Sequence, residues 1–184
     1  KKEFEVICTE TRPLYQGRIT ARELYDAGIN VTLVVDSAMR WVCKNKRIDM
    51  AVIGADAITS EGTVLNKIGS RLLALVAKED GIPLYVASQL LKYSQETLFG
   101  THEDIDMRGP DEVWSSVHDV KRGPRPEGVH ILNPAFESVN RYYISSLISE
   151  VGIFPSGQAQ IMFAEKYPDI QKGYKILEHK NING

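Results

Sequence analysis

The sequence predicts an α/β fold, a Rossmann-like parallel sheet with helices on both faces. Short apolar, β-branched runs recur through the first half of the chain, and segments with helical spacing separate them. Strands that are apolar throughout are those buried on both faces, the environment of a parallel sheet covered by its own crossover helices. Right-handed crossovers make such a sheet doubly wound, and ligands then bind beyond the carboxyl ends of its strands.

Each element has a local reason. Phe4-Glu5-Val6-Ile7-Cys8 predicts the first strand. A helix is expected from Thr20 to Ala27, with Thr20 as N-cap, Glu23 completing a capping box and Gly28 as the stop. Residues 30–35 read as a second strand, residues 37–44 as a short helix, and Met50 to Ile53 as a third strand. Ile68, Leu72, Leu75 and Val76 mark one face of a helix ending near Gly81, and Pro83 to Ala87 follow as a fourth strand. Beyond residue 100 the signals weaken. Glu103 to Met107 is a faint strand, residues 109–128 are rich in Gly and Pro, and Val129 to Leu132 resume a strand. Tyr143, Ile144, Leu147, Ile148 and Val151 predict a helical stripe ended at Gly152, and a last helix is expected from about Gly157 to Tyr167. The tail after Pro168 is polar.

Composition narrows the function classes. The 184 residues are 43% hydrophobic and 25% charged, enough to bury a core without staples. A net charge of −2 argues against nucleic acid as the main partner, because phosphate-backbone binders carry a clustered basic excess. No apolar run approaches the roughly 18 residues of a membrane span, and two cysteines, Cys8 and Cys43, make no disulfide framework. A reducing, cytoplasmic setting is expected. The chain opens on Lys-Lys-Glu without an initiator Met, and it reads as a piece of something longer.

The candidate chemistry lies where strands are expected to end. Arg12 and Arg18 flank a loop with Gly17 just before a helix; guanidinium forks and a helix N-terminus suit phosphate, although arginines paired with nearby carboxylates fit the same spacing. Asp36-Ser37 suits either sugar hydroxyls or a helix cap. Asp56, in Gly54-Ala55-Asp56, ends the third strand, where partial burial can raise a carboxyl pKa. Asn66 and Lys67 fall at the expected start of the next helix, and Lys92 follows the fourth strand. A turn aspartate and surface lysines explain these residues as well. The histidines show no ligand spacing and no nucleotide-binding glycine motif is present, so neither metal nor cofactor is expected.

Taken in order, residues 9–21 (TETRPLYQGRITA), Asp36-Ser37-Ala38, Gly54-Ala55-Asp56 with Asn66-Lys67-Ile68-Gly69, and Asn133-Pro134-Ala135-Phe136 resemble one superfamily. It holds methylthioribose-1-phosphate isomerases, archaeal ribose-1,5-bisphosphate isomerases and the α, β and δ subunits of translation initiation factor 2B. The resemblance spans residues 4 to about 165 and implies the superfamily's C-terminal Rossmann-like domain over residues 1–170, a polar tail over 171–184, and an N-terminal helical domain absent from this chain. Ala57 stands where methylthioribose-1-phosphate isomerases carry Arg. Lys92-Tyr93, the run from Glu96 to Gly100 and the run from Ile105 to Pro110 resemble ribose-1,5-bisphosphate isomerase. That likeness implies an aldose–ketose isomerase acting on a ribose 1-phosphate, with Asp56 catalytic and Arg12, Asn66, Lys67, Lys92 and, more weakly, Arg18 on phosphate or sugar. The family's catalytic cysteine lies upstream of the first strand, so neither Cys8 nor Cys43 fits it. A homodimer or higher homo-oligomer is implied too. The alternatives are a non-catalytic regulatory subunit that binds initiation factor 2, and methylthioribose-1-phosphate isomerase.

Overall fold

A computed structural model describes residues 3–99, 105–115 and 123–170. Within these the architecture is mixed α/β, with parallel, antiparallel and mixed sheets and four helices in two compact units. One unit comprises residues 1–47 and 105–135, the other residues 48–104 and 136–184.

The first unit is built on a βαβ turn. Strand β1 (Glu5–Thr9) and strand β2 (Asn30–Val34) pair in parallel from Glu5↔Asn30 to Thr9↔Val34. A parallel pair needs a crossover, and helix α1 (Gln16–Asp26) supplies it. This helix begins four residues before the expected cap. Tyr15 is the N-cap, in the left-handed conformation (φ 61°), and the Thr20 hydroxyl donates back to the Gln16 carbonyl at 3.4 Å. Gly28, at φ +75°, does stop the helix, for only a residue without Cβ turns there without strain. After β2 a 3₁₀ turn over Asp36–Ala38 leads into helix α2 (Met39–Asn45). Residues 129–132 form no strand. Leu132 is 82% exposed, and among the described residues the ladder contact nearby is an antiparallel bridge between Met107 and Pro134. β-Branched side chains without a neighbouring strand do not make one. The expected strand over 103–107 lies partly outside the described residues, and the tail from residue 171 lies wholly outside them.

The second unit holds a four-stranded sheet in the order β3 (Ala51–Ile53), β6 (Leu84–Ala87), β8 (Ser146–Ser149), β9 (Gly152–Phe154). The first three strands run parallel and β9 returns antiparallel. A second, antiparallel sheet joins β4 (Ala57–Ile58), β5 (Val64–Lys67) and β7 (Phe136–Val139). Helix α3 (Ser70–Glu79) lies against β3, β6 and β7, and helix α4 (Ala159–Lys166) follows a 3₁₀ turn at Ser156–Gln158. Ile58, Val64, Leu84, Val86, Leu90, Val139 and Leu147 are almost wholly buried, and this core is the main stabilising term of the unit.

Two expectations are corrected here. The stripe at 143–151 is not a helix: the chain runs from a 3₁₀ turn (Arg141–Tyr143) into β8, and Gly152 opens β9 at φ +121°. Apolar residues at 144, 147, 148 and 151 suit a helical face, but strand β6 has an open edge. The pairs Tyr85↔Ser146, Val86↔Leu147 and Ala87↔Ile148 fill it, putting Leu147 into the core at 2% exposure. Asn66 and Lys67 likewise lie on β5 rather than at a helix start, with α3 beginning at Ser70. The ladder to β7 (Asn66↔Glu137, Lys67↔Phe136) holds them extended.

The β8–β9 turn carries a further anchor. The Glu150 carboxylate accepts the Leu90 N–H, 3.0 Å from Oε2, and the Tyr167 hydroxyl, 2.9 Å from Oε1. Tyr167 stacks at 5.3 Å on Phe163, which stacks at 5.0 Å on the buried Tyr93 ring. Desolvation pushes the Glu150 carboxyl up, but these donors, its own backbone N–H and the Lys166 charge together outweigh it, so its pKa lies below the usual 4.5. A depressed carboxyl stabilises the fold above its unfolded pKa and loses that contribution as pH falls through the folded value. The stability gap between wild type and Glu150→Gln is therefore expected to be present at pH 7 and to close below pH 4.5. Paired urea titrations across that range check it, and a gap independent of pH would contradict it.

Candidate functional site

In the first unit, the loop leaving β1 is held by backbone and carboxylate. The Glu10 N–H extends the ladder to the Val34 carbonyl at 2.8 Å. Asp36 accepts the Thr11 N–H on Oδ1 (2.8 Å) and the Arg12 N–H on Oδ2 (2.7 Å). Both oxygens are thereby engaged. Asp36 fastens the loop and makes no helix-cap bond.

That loop and α1 bring Arg12 and Arg18 to one aromatic ring. The Arg18 guanidinium lies 3.7 Å from the Tyr15 ring centroid and the Arg12 guanidinium 5.3 Å. Arg12 also donates to the Tyr15 hydroxyl and, at 2.9 Å, to the Val113 carbonyl. Arg18 pairs with Glu10 at 3.1 Å. The expectation of carboxylate pairing thus holds for Arg18, while Arg12 is held by neutral acceptors. A guanidinium carries five N–H donors, so both retain donors for an anion. Tyr15 was missed by sequence reasoning; its place three residues from each arginine was the available signal.

Gly17 makes this geometry attainable. It is buried in the first turn of α1, and a Cβ there would lie far inside contact distance of the Thr9 carbonyl oxygen. The helix start can approach the end of β1 only because nothing projects from residue 17.

In the second unit, β4 gathers the remaining candidates. The Asp56 N–H donates to the Leu65 carbonyl at 2.8 Å, and Ala57 pairs with Leu65, so Asp56 stands at the β4 end beside Asn66. On the other side of β4, Ile58 bridges Tyr93 in parallel and the Ser94 N–H reaches the Ile58 carbonyl at 2.8 Å. The short 3₁₀ turn carrying Lys92 (Leu90–Lys92) therefore lies alongside. Asp56 is exposed, not partly buried as its place at a strand end suggested, and the Lys92 side chain is exposed as well.

Asn66 and Lys67 are neighbours on a strand, so their side chains leave opposite faces. The Lys67 ammonium sits 4.5 Å from the centroid of the Phe136 ring, its cross-strand partner. The Asn66 amide nitrogen donates to the Ser70 hydroxyl at 2.7 Å. Glu137 Oε1 accepts the N–H groups of Gly69 (2.5 Å) and Arg71 (3.0 Å), so a carboxylate already occupies the start of α3. Neither Ser70 nor Glu137 was legible in the sequence, because each acts through a contact that the β5–β7 pairing and the Gly69 turn create.

Cys8 offers no activated thiol. Cys8 lies on β1, where desolvation pushes its thiol pKa above the usual value, and Cys43 lies on α2. Among the described residues no helix is long and apolar enough to cross a membrane.

Comparison with known proteins adds the following. The sequence profile of the initiation factor 2 subunit family matches residues 1–156. A ribose 1,5-bisphosphate isomerase of Methanocaldococcus jannaschii is 44% identical over 166 residues, 90% of this chain and 51% of that protein. Among solved structures, 5-methylthioribose 1-phosphate isomerase from Pyrococcus horikoshii OT3 superposes with a TM-score of 0.76 at 29% identity, covering 88% of this chain and 45% of that one. The delta subunit of translation initiation factor eIF-2B from A. fulgidus also gives 0.76, at 35% identity over 85% of this chain and 45% of its own. The chain spans about half the length of the relatives it matches.

Proposed function

We propose, from the premise that this chain belongs to the initiation factor 2 subunit family, that the complete protein is a cytoplasmic aldose–ketose isomerase converting ribose 1,5-bisphosphate to ribulose 1,5-bisphosphate. The observation that carries the reading is the sequence identity of 38–44% to archaeal proteins of that name, over 90–98% of this chain. The parallel β1–β2 and β3–β6 ladders, with α1 and α3 on their connections, and the parallel β6–β8 pairing support the finer assignment of residues 1–170 to a Rossmann-like sugar-phosphate-binding domain.

The chemistry asks for few groups. Ring opening breaks the C1–O4 bond as O4 takes up a proton; hydrogen then moves from C2 to C1, and O2 gives up a proton. Atoms balance within the substrate, so the step needs proton-handling groups and firm phosphate clamps. In this reading Asp56 handles a proton, and its carboxylate stands exposed at the start of β4. Arg12, Arg18, Lys67 and Lys92 supply positive charge for the phosphates, and Asn66 meets a sugar hydroxyl.

A second reading follows from the likeness to the eIF-2B delta subunit: a regulatory subunit that binds initiation factor 2 and has no turnover. Assaying the complete protein separately with ribose 1,5-bisphosphate and methylthioribose 1-phosphate decides among the readings. Turnover of the bisphosphate alone is expected. Turnover of methylthioribose 1-phosphate instead would move the assignment to that isomerase, and no turnover together with a stable initiation factor 2 complex would overturn the enzyme reading.

A further inference from the structure

One hydroxyl proton sets the orientation of Asn66. Ser70 Oγ lies 2.7 Å from both the Asn66 side-chain amide and the Lys67 carbonyl oxygen. The carbonyl only accepts and the hydroxyl has one proton, so that proton goes to Lys67. Ser70 must then accept from Asn66, and only the nitrogen end of the carboxamide can supply that donor. The amide oxygen is consequently turned away from Ser70. It points at the bend after β3, where a Cβ on Gly54 would meet it at 3.6 Å and no other neighbour. The β4–β5 register sets Asn66 opposite Asp56.

Ser70 is not needed as a helix cap. The Gly69 and Arg71 N–H groups are taken by Glu137, and the α3 N-cap residue, Gly69, has no side chain to offer. Ser70 is buried at 7% exposure, which keeps water from competing for its two bonds.

We propose that Ser70 is a positioning residue that fixes the Asn66 carboxamide with its oxygen end turned to the substrate. The presented amide oxygen accepts a proton from a sugar hydroxyl and repels phosphate oxygens, so this end of Asn66 suits a sugar hydroxyl next to Asp56. This rests on the isomerase reading and sharpens it, separating Asn66 from the cationic phosphate clamps.

The test is a double-mutant cycle in the complete protein with ribose 1,5-bisphosphate. Ser70→Ala frees the carboxamide to rotate and is expected to lower kcat/KM about tenfold, the worth of one hydrogen bond of ~1.4 kcal/mol. Ser70→Thr keeps the hydroxyl and restores most of the loss. On an Asn66→Ala background, Ser70→Ala should change kcat/KM little, because the group it orients is gone. Wild-type kcat/KM in Ser70→Ala, or an equal loss on both backgrounds, overturns the inference and leaves the isomerase reading standing. Absence of turnover in the wild type overturns that reading instead. The Asn66 side-chain amide proton resonances then decide the orientation: they shift in Ser70→Ala if it is correct, and unchanged resonances overturn it.

Discussion

Asp56→Asn is expected to lower kcat of the complete protein on ribose 1,5-bisphosphate by about 10²–10⁴-fold, the usual weight of a proton-transferring group. Asparagine keeps the size and hydrogen-bonding reach of the side chain and removes its capacity to take a proton. The position is exposed, and only the backbone of Asp56 is tied to β5, so the fold should not respond. Arg12, Arg18, Lys67 and Lys92 are untouched, so KM should change far less than kcat. Steady-state kinetics with a thermal melt of the same sample check both points. Undiminished kcat in a folded variant would remove Asp56 from the chemistry.

Gly17→Ala is expected to destabilise the protein even though alanine favours helix. The propensity gain is about 1 kcal/mol. Against it stands a Cβ driven into the backbone carbonyl of Thr9, with the Thr9 and Glu10 carbonyl carbons within 3.0 Å. A backbone neighbour cannot swing aside as a flexible side chain can. Relief requires α1 to lift from the end of β1, an overpacking cost of about 3 kcal/mol or more. The net loss of roughly 2 kcal/mol corresponds to a melting point lower by about 4–8 °C. Lifting α1 also moves Tyr15 and Arg18 away from Arg12, so affinity for the bisphosphate should weaken alongside stability. Calorimetry of the variant provides the check, and a melting point equal to or above wild type would show that the helix start has more room than its geometry indicates.

Much of the architecture was legible locally. Residues 30–35 and 50–53 are apolar nearly throughout, and both became strands of parallel ladders within a residue or two of the expected ends. Gly28 and Gly81, both at positive φ, mark the ends of α1 and α3. The site was legible as a set of residue types at strand ends. Its internal wiring was not, because Asp36 reaches back 25 residues to Thr11 and Glu137 reaches 68 residues to Gly69.

What the amino-acid sequence determined by itself was therefore the alternation of strand and helix and the family to which the residues belong. Both rest on short-range spacing and on motifs read in order. The tertiary structure decided the identity of segments whose spacing suits two conformations. Residues 146–149 are a strand because β6 offered an edge, and Asn66-Lys67 are extended because β7 pairs with them. It also decided which end of Asn66 is presented, through a Ser70 hydroxyl that has only one proton to give. Backbone hydrogen bonds between strands and buried side-chain contacts are made with partners remote in the chain, and no local pattern encodes which partner will be there.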